Sequence, residues 1–207
     1  MMSAAGGPAA GGHVYVVASG YRKRVVPAAT PFELTRLDNG ALIATATWGD
    51  SPGSRRIPVD APVDPAGVPD PVADIVDGPD RDEWWLETTM YSVPLPRGWT
   101  AIVTGDLSPA FYLVREPDRS IFVQTARNRP SLEGLAAPDQ TVVAEGDDDD
   151  ADWVELSYVH EGRPWRQRHS LLRTATVAMI TGQSPAKDFA DVRPTQQELT
   201  RRILFAR

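Results

Sequence analysis

The fold is decided by residues 153–172, which read WVELSYVHEGRPWRQRHSLL. Two runs in which apolar and polar side chains largely alternate, Trp153–His160 and Arg163–Leu172, flank the dipeptide Glu161-Gly162. Alternation with a period of two is typical of β-strands, and a two-residue connection containing glycine is typical of a hairpin. This stretch therefore predicts an antiparallel pair of long strands.

The register of this hairpin can be predicted from its loop. If Glu161 and Gly162 form the loop, Tyr158 faces Trp165 and Glu155 faces Arg168. An aromatic pair and an ion pair are both favourable across antiparallel strands. Since one slipped residue would break both pairs, the sequence favours this register over its neighbours.

Downstream, Thr174–Ile180 predicts a third strand and Ser184-Pro185 predicts the start of a helix. Serine is a favoured N-cap residue and proline a favoured first helical residue. We expect Pro194 to interrupt this helix and the chain to end on an amphipathic second piece.

Shorter strands are expected upstream. Phe32–Leu37 and Ala41–Trp48 flank Asp38-Asn39-Gly40, a hairpin signal because asparagine and glycine tolerate positive φ. The remaining predicted strands are Val14–Ala18, Met90–Val93, Trp99–Val103, Phe111–Glu116, Ile121–Ala126 and Gln140–Glu145.

Changes in composition divide the chain into four parts. Residues 1–12 are small and glycine-rich and predict a disordered tail, whereas residues 13–49 predict an N-terminal β block. Residues 50–83 are rich in proline and aspartate and predict a linker or a long surface loop. Residues 84–207 predict a second unit with both strands and helices.

Charge and cysteine content exclude several classes of function. The 207 residues carry a net charge of −7, which argues against broad nucleic-acid binding. The chain has no cysteine and therefore no disulfide, zinc-thiolate site or cysteine nucleophile. We expect a cytoplasmic protein without a membrane span, because no stretch is apolar for long enough.

Two stretches resemble a known family. Tyr91–Trp99, YSVPLPRGW, resembles the strand, proline, turn and Gly-Trp opening of the PsbP-like fold, which includes PsbP of photosystem II and bacterial DcrB-type domains. Ala178–Phe189 is similar to the closing strand and helix start of that family. The likeness covers about residues 88–205 and implies a mainly antiparallel sheet with helices packed against it. It also implies a binding or accessory role, as in the Eag-type chaperones of type VI secretion.

The expected fold is therefore α+β: a mainly antiparallel PsbP-like sheet with helices against it, preceded by an N-terminal β-hairpin block. That block either extends the sheet or forms a separate layer. The expected function is non-catalytic binding of another protein, as a chaperone, adaptor or immunity-type protein without a cofactor. Two alternatives remain open: a hydrolase or ligand-binding enzyme built around His160 or His169, and a structural component of a larger assembly.

Two groups of residues are candidates for partner binding. Trp84 and Trp85 adjoin the acidic segment, and on an extended chain one indole can enter the core while the other faces a partner. Arg163, Arg166 and Arg168 belong to the densest basic stretch and could receive an acidic partner, or could balance nearby carboxylates.

No metal site is expected. Asp147–Asp150 with Asp152 lacks the spacing of a calcium loop and predicts a solvated hairpin tip. In the predicted register His160 and His169 lie about 20 Å apart along the strands, at ~3.3 Å per residue, so one ion cannot bridge them. His13 could approach either one, but a surface or hydrogen-bonded histidine is the simpler interpretation.

Overall fold

The computed structural model describes residues 16–19, 23–27, 32–46, 54–57, 72–78, 83–103, 109–175 and 177–206. These residues form two antiparallel sheets and one α-helix. The six-stranded sheet has the order β16 (Leu204–Phe205), β8 (Tyr91–Pro94), β7 (Trp85–Glu87), β1 (Val16–Ser19), β2 (Lys23–Pro27) and β6 (Val72–Asp77).

The other sheet has ten strands. Its order is β12 (Thr141–Asp148), β13 (Ala151–His160), β14 (Arg163–Leu172), β15 (Val177–Pro185), β11 (Arg119–Ala126), β10 (Phe111–Arg115), β9 (Trp99–Val103), β3 (Phe32–Arg36), β4 (Leu42–Ala46) and β5 (Ser54–Ile57). The helix, α1, spans Phe189–Arg202.

The predicted register of the β13–β14 hairpin is confirmed. Tyr158 pairs with Trp165, and their ring centroids lie 6.2 Å apart. Glu155 pairs with Arg168. The turn residues Glu161 and Gly162 have φ values of 49° and 73°, as a two-residue loop with positive φ at both central positions requires.

The hydrophobic core lies between the two sheets and α1. Alternate residues of the ten-stranded sheet point inward and meet side chains from the six-stranded sheet and the helix, so apolar area from all three leaves water. The core includes Phe32, Leu34, Trp84, Val93, Leu95, Trp99, Phe111, Leu113, Ile121, Phe189, Val192 and Leu199.

The expectation of helices packed against the sheet is wrong, because the described part of the chain is mostly antiparallel strand with a single α-helix. Ser184 and Pro185 do not start that helix. They are the last residues of β15, where they pair with Arg166 and Trp165 of β14. Because β14 is ten residues long, it still offers pairing partners to the end of β15. This pairing outweighs the local preference of Ser184 and Pro185 for the start of a helix.

The helix also continues through Pro194 instead of being interrupted there. Pro194 and Ala190 are both exposed, so the carbonyl of Ala190, which loses its helical donor, faces water. The packing of the opposite face of α1 against β15 holds the helix together across this position.

The N-terminal strands extend both sheets. β3 pairs with β9, which adds β3, β4 and β5 to the ten-stranded sheet, whereas β1 pairs with β7 in the other. The segment 50–83, expected to be a linker or loop, contributes the strands β5 and β6. Residues 1–15, with the predicted tail and His13, lie outside the described residues.

Close contact between α1 and β15 depends on Gly182. A Cβ atom there would lie 3.1 Å from Cγ1 of Val192 and 3.3 Å from Gln196. We expect Gly182→Val to push the helix away and to lower the free energy of unfolding by about 2 kcal/mol. Urea denaturation measures this loss. Ala126→Val, at an exposed position of the neighbouring β11, is the control, and an equal loss there would contradict the argument.

Candidate binding surfaces

Strand β12 is an exposed edge. Among the described residues it ends the ten-stranded sheet and pairs with β13 alone, and seven of its eight residues are exposed. Val142 and Val143 keep 44% and 42% of their surface accessible. An edge strand leaves a row of backbone N–H and C=O groups without partners in the sheet. This surface can therefore accept a further strand.

The acidic end of β12 turns into β13. Asp149 and Asp150 form the turn, so the predicted hairpin tip is confirmed. Arg173 contacts the carboxylates of Asp147 and Asp152 at this tip. Within the described residues the carboxylates of Asp149 and Asp150 form no ion pair, which leaves negative charge at this end of the edge.

Behind this edge lies a buried charge cluster centred on Arg168, whose side chain is only 3% exposed. Arg168 donates to Oε1 of Glu155 at 3.3 Å and to Oδ2 of Asp148 at 3.0 Å. Its guanidinium stacks 4.0 Å from the ring centre of Trp153, and Arg193 contacts Glu155 from the helix at 3.0 Å. Burial lowers the pKa of Arg168, and the hydrogen bond to Glu155 opposes that shift.

The second candidate surface is a concave one, the arginine pocket, with a volume of about 440 Å³. It lies where β3, β10, the turn before β9 and the helix meet. Its lining consists of Arg36, Glu83, Pro94, Leu95, Pro96, Arg97, Trp99, Arg115, Thr195, Glu198 and Leu199.

The turn 94–99 forms one wall of the arginine pocket. The backbone N–H of Gly98 donates to the carbonyl of Arg36 at 2.7 Å. Gly98 has a φ of 71°, and a Cβ there would lie 2.8 Å from Oδ1 of Asp38. Only glycine fits this conformation and this close approach without strain. The Pro-turn-Gly-Trp motif of the sequence therefore shapes the pocket.

Both tryptophans predicted as partner contacts are inside the protein. Trp84 is 2% exposed and Trp85 is 8% exposed. Trp84 lies in the main core, and Arg202 of the helix lies 5.4 Å from the ring centre of Trp85. Side chains this buried have little surface to offer a partner.

The three predicted arginines do not form one surface. Arg168 is the buried centre of the charge cluster, and Arg166 is half-buried on the same face of β14. Arg163 lies on the opposite face, where it forms an exposed ion pair with Asp118 at 3.0 Å. Strand alternation thus separates residues that the sequence placed together.

The histidines are also apart, as the register predicts. His169 is 7% exposed, and its Nδ1 lies 2.9 Å from the hydroxyl of Thr181. Burial lowers the pKa of His169 to about 4. His160 is exposed, with its ring edge-on to Trp165 at 5.5 Å. The described residues contain no group of three His, Cys, Asp or Glu side chains able to hold a metal ion.

Sequence reasoning missed the arginine pocket and the edge position of β12. Arg36, Glu83, Arg115 and Glu198 come from distant parts of the chain, and no local pattern links them. For β12 the strand was predicted, but its place at the sheet edge depends on the connection 127–140, which carries the chain past three strands. Arg129 and Gln140 on this connection bond to β14.

No family model matches the sequence, and no curated protein is similar to it. Among solved structures, LpqN, involved in cell envelope biogenesis of Mycobacterium tuberculosis, is 11% identical and has a TM-score of 0.41 over 56% of this chain and 83% of that chain. Cyanobacterial PsbP (CyanoP) from Synechocystis sp. PCC 6803 is 13% identical, with a TM-score of 0.35 over 56% of this chain and 86% of that chain.

Likenesses at this level of identity concern the fold alone, and nothing about function follows from them. One of these two structures is a PsbP, the family to which the sequence analysis likened residues 88–205. Neither structure is an Eag-type chaperone. No α-helix among the described residues is long and apolar enough to cross a membrane.

Proposed function

We propose that this protein binds another protein without catalysis, by accepting an extended segment of that partner along β12. The exposed eight-residue edge strand is the observation that carries the proposal. An accessory, chaperone-like or immunity-type role is compatible with such a surface. The cytoplasmic location expected from the sequence stays a prediction.

The backbone of β12 supports this proposal. An added strand pairs with the unsatisfied N–H and C=O groups of an edge, which gives affinity independent of the partner's side chains. The exposed side chains of Val142 and Val143 add apolar contact area beside that backbone. A register shift between Val142 and Ala144 breaks the regularity of the edge. Such bulges limit unselective pairing with other edges.

Charge indicates the chemistry of the partner. Glu145 lies on β12 and is exposed, and Asp149 and Asp150 follow at its end, with no ion pair formed by these three carboxylates among the described residues. Opposite charges across a strand pair are favourable, and like charges are not. The partner segment should therefore alternate apolar residues with lysine or arginine.

Peptide display tests this proposal. A library of random extended peptides is selected on the whole chain, and hydrogen exchange locates the bound peptide. We expect the selected peptides to alternate apolar and basic residues and to protect the amides of β12. Val143→Lys should weaken their binding about tenfold, because it replaces apolar contact with a charge that repels the partner.

Val76→Lys is the matched control, since Val76 is an exposed valine on β6 at the edge of the other sheet. It should leave the affinity within about twofold. Peptides without basic residues, protection away from β12, or an equal loss in the two variants would contradict the proposal. So would a dimer of this chain in sedimentation experiments that Val143→Lys dissociates and Val76→Lys does not.

A further inference from the structure

We propose that the arginine pocket binds a phosphate monoester carried on a small apolar group. The pocket shares no residue with β12, so this site is separate from the proposed protein-binding edge. Three guanidinium groups line it, and guanidinium matches the geometry of phosphate oxygens.

The carboxylates of the pocket are already engaged. Glu83 accepts two hydrogen bonds from Arg202, at 2.9 Å and 2.8 Å, and Glu198 accepts one at 3.0 Å. The hydrogen bonds from Arg202 hold the pKa of Glu83 below its usual value, so Glu83 is charged and occupied at neutral pH. Both glutamates therefore form their hydrogen bonds with Arg202, and they act on the lining arginines only through longer-range electrostatic attraction.

Those arginines have no such partner. Among the described residues, Arg36, Arg97 and Arg115 form no ion pair with a carboxylate. Arg97 makes only a long contact of 3.4 Å with the carbonyl of Asp38. Three positive groups around one cavity repel one another, and an anion of charge −2 would relieve that repulsion.

Arg36 gives the pocket a built element that surface arginines would not. It is 8% exposed and is held in place by a hydrogen bond from Nη1 to the carbonyl of Leu95 at 2.7 Å. Its Nε is buried and has no hydrogen-bond partner among the described residues. The guanidinium of Arg36 is therefore fixed at the pocket wall with its charge incompletely compensated, and charge-assisted hydrogen bonds to phosphate oxygens would stabilise it.

The other lining residues set the size and the character of the ligand. A cavity of about 440 Å³ is within the range of small-molecule sites. Pro96, which is partly exposed, provides apolar surface beside the arginines, and the buried Pro94 and Leu199 lie beneath it. This combination favours an organic phosphate over the bare ion, because the ion leaves the apolar surface uncovered.

Calorimetric titration of the full chain tests the site with three probes: phenyl phosphate, inorganic phosphate and benzoate. We expect phenyl phosphate to bind at least about tenfold more tightly than inorganic phosphate or benzoate, and to weaken as salt is added. Inorganic phosphate binding as tightly as phenyl phosphate would overturn the monoester assignment. Tighter binding of benzoate, or no binding by any probe, would overturn it as well.

Paired variants locate the site. Arg97→Gln with Arg115→Gln removes two exposed charges from the pocket and should weaken phenyl phosphate binding at least about tenfold. Arg127→Gln with Arg201→Gln removes two exposed arginines elsewhere and should change it by less than about twofold. Equal losses in the two double variants would show that binding follows net charge and would overturn the site.

Discussion

Glu155→Leu is expected to lower the free energy of unfolding by about 3–5 kcal/mol, the usual cost of leaving a buried charge without its partner. Glu155 forms a buried ion pair with Arg168. The side chain of Glu155 is 7% exposed and that of Arg168 is 3% exposed. Asp148, the other carboxylate on Arg168, is 45% exposed and compensates less well. Arg193 loses the same partner from the helix side.

Adding Arg168→Met to Glu155→Leu should restore most of this loss. The double variant leaves no uncompensated buried charge, and a methionine of similar length can still pack on Trp153. A double variant as unstable as Glu155→Leu alone would show that packing, and not charge compensation, explains the effect. Guanidinium chloride denaturation of both variants gives the comparison.

Asp118→Asn is the control for an exposed pair. The Arg163–Asp118 distance is 3.0 Å, close to that in the buried cluster, but the side chains are 51% and 41% exposed. Water screens such pairs, so we expect a loss below about 1 kcal/mol. A loss comparable to that of Glu155→Leu would contradict the view that burial sets the size of the effect.

The second large effect concerns pH. The pKa of His169 is lowered by burial from its ordinary 6.5 to about 4. Between these values the unfolded chain binds a proton that the folded protein does not. His169 therefore leaves stability unaffected above pH 6.5, and stability falls progressively as the pH drops through 4. The full loss is about 3 kcal/mol, at 1.36 kcal/mol per pKa unit.

Denaturation of His169→Gln measured between pH 7 and about pH 5, above the range in which carboxyl groups contribute, checks this prediction. The variant should lose most of the pH dependence, because glutamine does not titrate and can still contact Thr181. His160→Gln is the matched control and should retain the dependence, since His160 is exposed. Acidic groups with lowered pKa values, such as Glu83 and Asp152, begin to lower stability only below about pH 5, where the unfolded chain takes up their protons. If the free energy of unfolding of His169→Gln kept the same pH dependence, the effect could not be attributed to His169.

Local sequence patterns predicted the strands well where the chain alternates. Trp99–Val103 and Arg163–Leu172 have the predicted bounds, and the pairs Tyr158–Trp165 and Glu155–Arg168 are those expected from the loop. These features depend on neighbours in sequence or on one tight turn. The start of the helix was misplaced, because β14 lengthened β15 through Ser184 and Pro185.

The candidate sites were harder to predict. The sequence favoured Trp84, Trp85 and the β14 arginines by residue type, yet residue type does not decide exposure. Both tryptophans are buried in the core, and residues of α1 and β12 cover Arg168. Arg36 gave no local signal, because the residues that line the pocket with it lie between 47 and 163 positions away in the sequence.

The sequence by itself determined the β-rich character, the hairpin register, the acidic tip and the absence of cysteine chemistry. These follow from side-chain alternation, turn residues and composition, which act over a few neighbouring residues. Only the tertiary structure decided which strand is the sheet edge, which charges are buried and which arginines share a pocket. Each of these depends on long-range packing, where strand order and burial are set by the whole core and not by any single segment.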